Sequence, residues 1–249
     1  MKPKIIDVNP ENIEKYPPTC FLNPKNEGYI IKLDWLKKRF SEGLKIKVLY
    51  DEGDKKIHGF IEYVPGEYAW RAVDAKNYLF IHCIWINPNS YKKKGYASDL
   101  IRECIKDASG KEGIAVITSD DSFMATKDIF LKNGFKIIEE DGKQQLLIKE
   151  LKKGRLPRFK DYKKQLEKYK GWHIIYSNQC PWVARFINEL DKKTINKLKI
   201  NITELKTAKQ AQDAPSIYSV FNLIYNGKIL ADHYISNTRF SNIIKKELQ

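Results

Sequence analysis

Residues 78–86 read YLFIHCIWI, and this run is apolar enough to lie deep in a β-sheet. Residues 87–90 (NPNS) end the strand, because proline cannot extend a ladder and Asn and Ser favour turns. Residues 92–97 (KKKGYA) then open a predicted helix. Its apolar stripe consists of Ala97, Leu100, Ile101, Cys104 and Ile105. A buried strand, a basic glycine loop and an amphipathic helix follow one another here.

The start of this helix has the features of an anion site. Its first amides lack partners within the helix, Gly95 allows close backbone approach, and Lys92, Lys93 and Lys94 add positive charge. The alternative is that these lysines form an ordinary solvated turn in a lysine-rich protein. Because the charge, the glycine and the helix start coincide, we favour a ligand that carries phosphate.

Two common phosphate-binding motifs are missing from the sequence. Neither the G-x-x-x-x-G-K-S/T loop of nucleoside-triphosphate sites nor the G-x-G-x-x-G of dinucleotide sites occurs. The pattern present is basic-x-x-Gly-x-Ala after a buried strand. Further along, residues 129–135 (IFLKNGF) end a helix at Asn133-Gly134 and begin a new strand at Phe135. Together these features resemble the GNAT family of N-acetyltransferases, over about residues 1–150.

The resemblance implies a fold, a cofactor and a set of binding residues. It implies an α/β (α+β) domain with a mixed central sheet flanked by helices, and acetyl-CoA as the acetyl donor. The loop would wrap the pyrophosphate, and amides on the strand before it would hold the pantetheine and polarise the thioester carbonyl. The implied cofactor-binding residues are Ile84, Trp85, Ile86, Lys92, Lys93, Lys94, Gly95, Tyr96 and Ala97.

Acetyl transfer to an amine requires a base that keeps the amine neutral. Some members of the family place a carboxylate on this strand, which makes His82 the first candidate here, since imidazole titrates near neutral pH. Simple alternation places His82 on the same face as Tyr78, Phe80, Ile84 and Ile86. A hydrogen-bonded core histidine is an equal alternative. Glu62 and Glu67 on neighbouring segments are further candidates, although both also fit as ordinary charged residues.

One position departs from the family pattern. Many members carry a tyrosine four residues before Gly134, and its hydroxyl protonates the departing thiolate. Phe130 occupies that position here and has no proton to give. Either the thiolate leaves unassisted, or Tyr96 or Ser122 serves instead, or the domain binds acyl-CoA without efficient turnover.

Composition limits the remaining possibilities. The chain of 249 residues can form one large or two small domains, and its 42% hydrophobic content suffices for real cores. The formal charge of +14 permits a nucleic-acid partner, but the lysines are spread over the chain, and CoA is itself polyanionic, so we rank nucleic acid as unlikely. No membrane-length apolar run or signal-like start is present, so we expect a cytoplasmic protein without a membrane partner.

The four cysteines indicate neither a metal site nor a disulfide framework. Their spacing matches no Cys or Cys/His metal-binding pattern, so no metal is predicted, and reduced thiols are expected. They are Cys20, Cys83, Cys104 and Cys180.

The pattern changes near residue 150. Residues 151–170 are predicted to form a basic, proline-containing linker with a charged, helical end, and residues 171–249 begin a new alternation of strands and helices. Strands are predicted at residues 172–176, 200–205, 219–225 and 228–233, with helices at 181–190 and 238–248. The predicted order is β-α-β followed by β-β-α, in a smaller second domain.

Cys180 gives this second domain a chemistry of its own. Cys180-Pro181-Trp182-Val183 lies between a strand and a helix, where helix-terminal amides would lower the pKa of the thiol. It resembles the Cys-Pro-Tyr-Cys site of glutaredoxins and thioredoxin-like folds, with Val183 in place of the second cysteine, as in monothiol members. Ala214-Pro215 resembles the cis-proline segment of that fold. A buried structural cysteine is the competing interpretation.

Both halves together resemble YoaP-like acetyltransferases, a bacterial group. The matching stretches are residues 82–85 (HCIW), 178–181 (NQCP) and 234–240 (YISNTRF).

Two functions therefore remain open. The first is an acetyl-CoA-dependent N-acetyltransferase acting on a small-molecule or peptide amine. The second is a monothiol glutaredoxin-like redox or binding protein that uses Cys180, with the GNAT domain as an acyl-CoA sensor.

Overall fold

The computed structural model describes residues 3–121 and 124–249. The chain forms two compact units. Among the described residues, the first takes 3–21, 36–69 and 73–159, and the second takes 22–35, 70–72 and 160–249. No helix in the described part of the chain has the length and apolar character needed to cross a bilayer.

The strands and helices are numbered in chain order. The strands are β1 (Lys4–Val8), β2 (Lys45–Asp51), β3 (Lys56–Pro65), β4 (Val73–Asp74), β5 (Tyr78–Ile86), β6 (Gly113–Ser119), β7 (Lys136–Asp141), β8 (Gln144–Glu150), β9 (Arg158–Phe159), β10 (Trp172–Tyr176), β11 (Asn201–Glu204), β12 (Phe221–Tyr225) and β13 (Lys228–Ala231). The α-helices are α1 (Glu27–Arg39), α2 (Tyr96–Asp107), α3 (Lys127–Lys132), α4 (Pro181–Asn188), α5 (Lys192–Leu198), α6 (Ala208–Gln212) and α7 (Asn237–Glu247). Short 3-10 helices cover Phe40–Glu42, Gly66–Tyr68, Asn89–Tyr91 and Lys163–Lys168.

A seven-stranded mixed sheet forms the first unit. Its strand order is β1-β2-β3-β5-β6-β8-β7, and the pair β5–β6 is parallel whereas the other neighbours are antiparallel. The predicted α2 stripe is confirmed, because Leu100, Ile101 and Cys104 are fully buried against one face of this sheet. Burial of this stripe holds α2 across the sheet, with its N-terminus beyond the end of β5.

A separate four-stranded sheet forms the core of the second unit. Its order is β11-β10-β12-β13, with β10 parallel to β11 and antiparallel to β12, and β12 antiparallel to β13. One face packs apolar residues of α4 and α7, including Phe186 and Phe240, against Ile174 and Leu223. Two short helices that the sequence analysis did not predict, α5 and α6, flank β11 in the chain.

Several sequence predictions are wrong in detail. The segment that carries the candidate Glu67 is not extended, because it forms a 3-10 helix over Gly66–Tyr68 that is followed by irregular chain and then, among the described residues, by the two-residue β4. The backbone of Gly66 lies very close to Ala75, since a Cβ at position 66 would be 1.8 Å from the Ala75 carbonyl oxygen. The Ala214–Pro215 bond is not cis, since among the described residues the cis bond is Asn87–Pro88. The predicted helical end of the linker is a 3-10 helix.

Candidate active site

The start of α2 has the backbone geometry of an anion site. Gly95 precedes the helix with a φ of +86°, a left-handed conformation that glycine adopts at little cost. A Cβ at this position would meet no described heavy atom within 4 Å, so the space around it is open. No side chain among the described residues caps the helix, which leaves the amides of its first turn available to a ligand.

The three lysines predicted at this loop are all exposed. Lys93 has a left-handed φ of +60°, and the Lys94 ammonium lies 5.6 Å from the centre of the Tyr91 ring. In the first turn of α2, Asp99 pairs with Arg102, so its charge is partly neutralised. The loop therefore combines positive charge with unused amides, as a phosphate group requires.

The Asn133-Gly134-Phe135 turn lies next to this helix start. Asn133 Nδ2 donates hydrogen bonds to Ser98 Oγ at 3.0 Å and to the Ile129 carbonyl at 2.7 Å. Phe130 is buried, with its ring centre 5.4 Å from that of Phe135. The two segments that carried the sequence resemblance are thus joined by a hydrogen bond.

The free edge of β5 begins halfway along the strand. Pairing between β5 and β6 extends from Tyr78 to Ile81 among the described residues, whereas pairing with β3 continues to Ile86. The Asn87 amide donates to the His58 carbonyl at 2.9 Å, which fixes the alternation of the antiparallel ladder. Counting back from this bond, the amides of Ile84 and Ile86 point away from β3, and that of Trp85 points towards it. Ile84 and Ile86 can therefore offer amides to a ligand at the open edge.

A β-bulge places His82 where this open edge begins. Glu62 is opposite Cys83 and Tyr63 is opposite Ile81, so His82 is the extra residue. The alternation predicted for this strand is wrong beyond the bulge. Leu79, Ile81 and Ile86 belong to one core cluster, and Ile84 packs against it. His82 lies on the other side of the strand, where its ring centre is 5.7 Å from that of Phe80. Tyr78, Phe80 and His82 do not share a face with Ile84 and Ile86.

Glu62 lies beside His82. It is fully buried on β3, and its opposite partner Cys83 is half-buried on the face that His82 occupies. The strand pairing therefore places two candidate proton-transfer residues and a thiol at adjacent positions of the sheet. Glu67, the other predicted carboxylate, lies in a 3-10 helix, where it accepts a hydrogen bond from the Asn77 amide at 3.1 Å.

Of the two side chains considered for protonating the thiolate, Tyr96 and Ser122, the structure describes Tyr96. Phe130 has no hydroxyl and is 1% exposed. Tyr96 is the first residue of α2, half-buried, with its ring centre 6.0 Å from that of Tyr91. Ser122 lies outside the described residues.

Cys180 occupies the N-cap position of α4 in the second unit, and Pro181 takes the first helical position. Its side chain is half-buried and packs against the core cluster of that unit. Trp182 and Tyr234 lie nearby, with ring centres 6.3 Å apart, and burial raises the pKa of Tyr234. The predicted position of the thiol, between a strand and a helix, is confirmed.

Sequence reasoning missed Tyr91 and its partners. Tyr91 donates a hydrogen bond to Asp51, a residue 40 positions away, and stacks on His58. The sequence carries no signal for these contacts, because they depend on how the β2–β3 hairpin packs.

Comparisons with known proteins show which family the sequence resembles. The model of the Acetyltransferase (GNAT) family matches residues 11–135, and a YoaP-like model matches residues 199–242. The protein named "Uncharacterized N-acetyltransferase YoaP" of Bacillus subtilis (strain 168) is 30% identical over 249 residues, covering 96% of this chain and 97% of that protein.

Solved structures of acetyltransferases are similar to part of the chain. The PaiA N-acetyltransferase of Thermoplasma acidophilum in complex with coenzyme A aligns with a TM-score of 0.44 and 17% identity, over 60% of this chain and 99% of its own. A Bacillus subtilis acetyltransferase in complex with CoA aligns with a TM-score of 0.41 and 17% identity, over 60% and 99%.

Proposed function

The chain belongs to the GNAT family of N-acetyltransferases, and from this premise we propose that it transfers the acetyl group of acetyl-CoA to an amine of a small molecule or peptide. The observation that carries the proposal is the start of α2. Uncapped amides, a left-handed glycine with open space around it and three exposed lysines coincide there.

Residues 92–97 would hold the pyrophosphate of the donor. The amides of the first turn would donate hydrogen bonds, and the lysines would neutralise the phosphate charge. The amides of Ile84 and Ile86 at the free edge of β5 would hold the pantetheine and polarise the thioester carbonyl, which gains negative charge as the amine attacks.

His82 would act as the base that accepts a proton from the amine. Its position at the bulge, where β5 leaves β6, supports this role, and a neutral imidazole is a suitable acceptor near pH 7. Glu62, buried beside it, is the second candidate. The nitrogen lone pair attacks the carbonyl carbon, the C–S bond breaks, and the acetyl group passes to nitrogen.

The departing CoA thiolate takes its proton from Tyr96 or from solvent in this scheme. Phe130 cannot supply one, and the hydroxyl of Tyr96 is carried by the first residue of α2. A thiol has a low enough pKa to leave without an acid, so the step does not require a phenol at position 130.

The test is titration calorimetry with CoA and acetyl-CoA on the wild type and on a matched pair of variants, G95A and G110A. Both glycines have left-handed φ values, +86° and +83°, and open space around the missing Cβ, so both variants carry the same backbone strain. We expect micromolar binding by the wild type and by G110A, and at least about tenfold weaker binding by G95A, since one lost phosphate contact costs about 1.5 kcal/mol or more. Wild-type protein that binds neither ligand would refute the proposal.

We also propose a second function, a thioredoxin-like redox or thiol-binding activity of the second unit. The strand order β11-β10-β12-β13, with one parallel and two antiparallel pairs, supports such a fold, and Cys180 at the N-cap of the eight-residue α4 supports a reactive thiol. In this reading the first unit serves as an acyl-CoA sensor.

Alkylation by iodoacetamide as a function of pH tests this second function. If the helix amides stabilise the thiolate, the midpoint for Cys180 lies clearly below about 8.5, the value of an ordinary thiol. C180S provides the background rate. A midpoint at or above the ordinary value would leave Cys180 as a structural residue.

A further inference from the structure

Tyr91 is the last residue of the 3-10 helix that leads into the lysine loop, and two residues of the β2–β3 hairpin hold its side chain. Its hydroxyl donates a hydrogen bond to Asp51 Oδ2 at 2.7 Å. Its ring is stacked on the His58 imidazole, with centres 3.8 Å apart and planes inclined by 11°. His58 is in turn fixed by Asp54, with Nε2 and Oδ2 2.7 Å apart.

The same tyrosine contacts the loop itself. The Lys94 ammonium lies 5.6 Å from the ring centre, and the Tyr96 ring lies 6.0 Å away. Backbone bonds tie the segment together as well, because the Tyr91 amide donates to the Pro88 carbonyl and the Lys92 amide to that of Asn89. A side chain anchored to the hairpin therefore touches the loop on both sides of Gly95.

We infer that Asp51, His58 and Tyr91, here called the hairpin clamp, position the lysine loop for phosphate binding. The inference rests on the proposed function, because the hairpin clamp would hold the loop that binds CoA in its binding conformation. A loop with left-handed residues at Lys93 and Gly95 has many alternative conformations, and fixing it before the ligand arrives lowers the entropic cost of binding.

The protonation states of Tyr91 and Asp51 at neutral pH favour the hydrogen bond between them. The hydrogen bond with Asp51 raises the pKa of Tyr91 to about 12, so the phenol remains a donor at neutral pH. The same bond, with help from the Gly53 amide, lowers the pKa of Asp51, so the carboxylate remains charged. The bond joins a neutral donor to an ionised acceptor, which makes it stronger than one between neutral groups.

The clamp residues could also be considered as metal ligands. Ligand atoms of Asp51, Asp54 and His58 all lie within 4.8 Å of one another. Tyr91, however, already donates to Asp51 Oδ2, and His58 Nε2 is hydrogen-bonded to Asp54 Oδ2. We therefore assign the cluster to positioning.

The test measures Kd for CoA and for 3′-dephospho-CoA, which keeps the pyrophosphate, in Y91F, D51A and D51N. Y91F keeps the stacked ring but loses the donor, and D51A loses the acceptor. We expect both to weaken the two ligands equally, by about five- to tenfold, the effect of one lost hydrogen bond to a charged group. D51N keeps one amide oxygen that can accept from Tyr91 but loses the charge, so it should recover only part of the affinity.

Y225F is the matched control, because it removes a phenol hydroxyl from the second unit, where Tyr225 is stacked on Trp172. It should bind CoA like the wild type. If the wild type binds CoA and G95A does not, yet Y91F and D51A stay within twofold of the wild type, the clamp has no positioning role. If the wild type itself fails to bind, the proposed function fails first, so the two failures are distinguishable.

Discussion

The Tyr63 hydroxyl donates a hydrogen bond to Asp107 Oδ2 at 2.7 Å, joining the middle of the first-unit sheet to the last residue of α2. Tyr63 is fully buried, and Lys45 and Lys47 lie 3.2 and 3.3 Å from the same carboxylate oxygen. Since the other end of α2 carries the proposed phosphate site, this cluster anchors the helix that presents the site.

Acid should weaken this anchor. Burial acts to raise the pKa of Asp107, but the hydrogen bond from Tyr63 and the charges of Lys47 and Lys45 outweigh it and hold the pKa below its usual value. A carboxyl with a folded pKa below the unfolded one, about 3.9, stabilises the protein above that pH and ceases to do so as pH falls through the folded value. We expect D107N to unfold at lower temperature than the wild type at pH 7, with the difference shrinking below about pH 4.

Melting curves of D107N and the wild type from pH 3 to 7 measure this effect. D34N, which changes an exposed carboxylate of α1, is the control and should follow the wild type. A D107N deficit that is constant across the whole range would contradict an electrostatic origin.

The bond between Asn133 and Ser98 should couple the α3 turn to the phosphate-site helix. S98A and N133A each break the 3.0 Å contact, and N133A also loses the bond to the Ile129 carbonyl. A double-mutant cycle on unfolding free energy should give a coupling of about 0.5–1.5 kcal/mol, the usual net value of one hydrogen bond. Additive effects would mean that the contact contributes nothing to stability.

Thiol reactivity should differ sharply between two cysteines of the first unit. Cys104 lies on the buried face of α2, and burial raises the pKa of its thiol well above the usual value, so it should not react with Ellman's reagent in the folded protein. Cys83 is half-buried on β5 and should react measurably. The C104A variant should leave the folded-state release of thionitrobenzoate unchanged, whereas C83A should lower it. Rapid reaction of Cys104 would indicate that α2 opens readily.

Local patterns in the sequence were enough to predict the strand, the glycine loop and the helix of residues 78–107. The strand, the basic loop and the α2 stripe lie within about thirty residues. The glycine, the lysines and the apolar spacing determine local conformation through residues that are close in the chain, so they can be interpreted without knowing the fold. The coarse alternation of strands and helices after residue 171 was predictable for the same reason, although the short α5 and α6 were missed because few apolar positions mark them.

Features that depend on distant partners could not be predicted. The bulge at His82 arises from how β5 pairs with β3, and one extra residue reverses the faces of Ile84 and Ile86. The hairpin clamp joins Tyr91 to residues more than thirty positions earlier. Residues 22–35 and 70–72, which precede the linker by many residues, pack within the second unit. No local pattern encodes such contacts.

The last prediction concerns His82, which we propose as the base. Once an amine acceptor has been found by screening, H82Q should lower kcat by about 100-fold or more, the usual contribution of a general base, while leaving the Kd for CoA unchanged. In the wild type, kcat/KM should fall at low pH as the imidazole of His82 becomes protonated. This decrease should be absent in H82Q and present in E62Q. Glu62 is fully buried, and E62Q keeps nearly the same volume while it replaces one carboxylate oxygen with an amide group that cannot accept a proton from the amine. If E62Q instead lowers kcat and removes the decrease of kcat/KM at low pH, the carboxylate of Glu62 is the base, and His82 is a core residue that shapes the bulge.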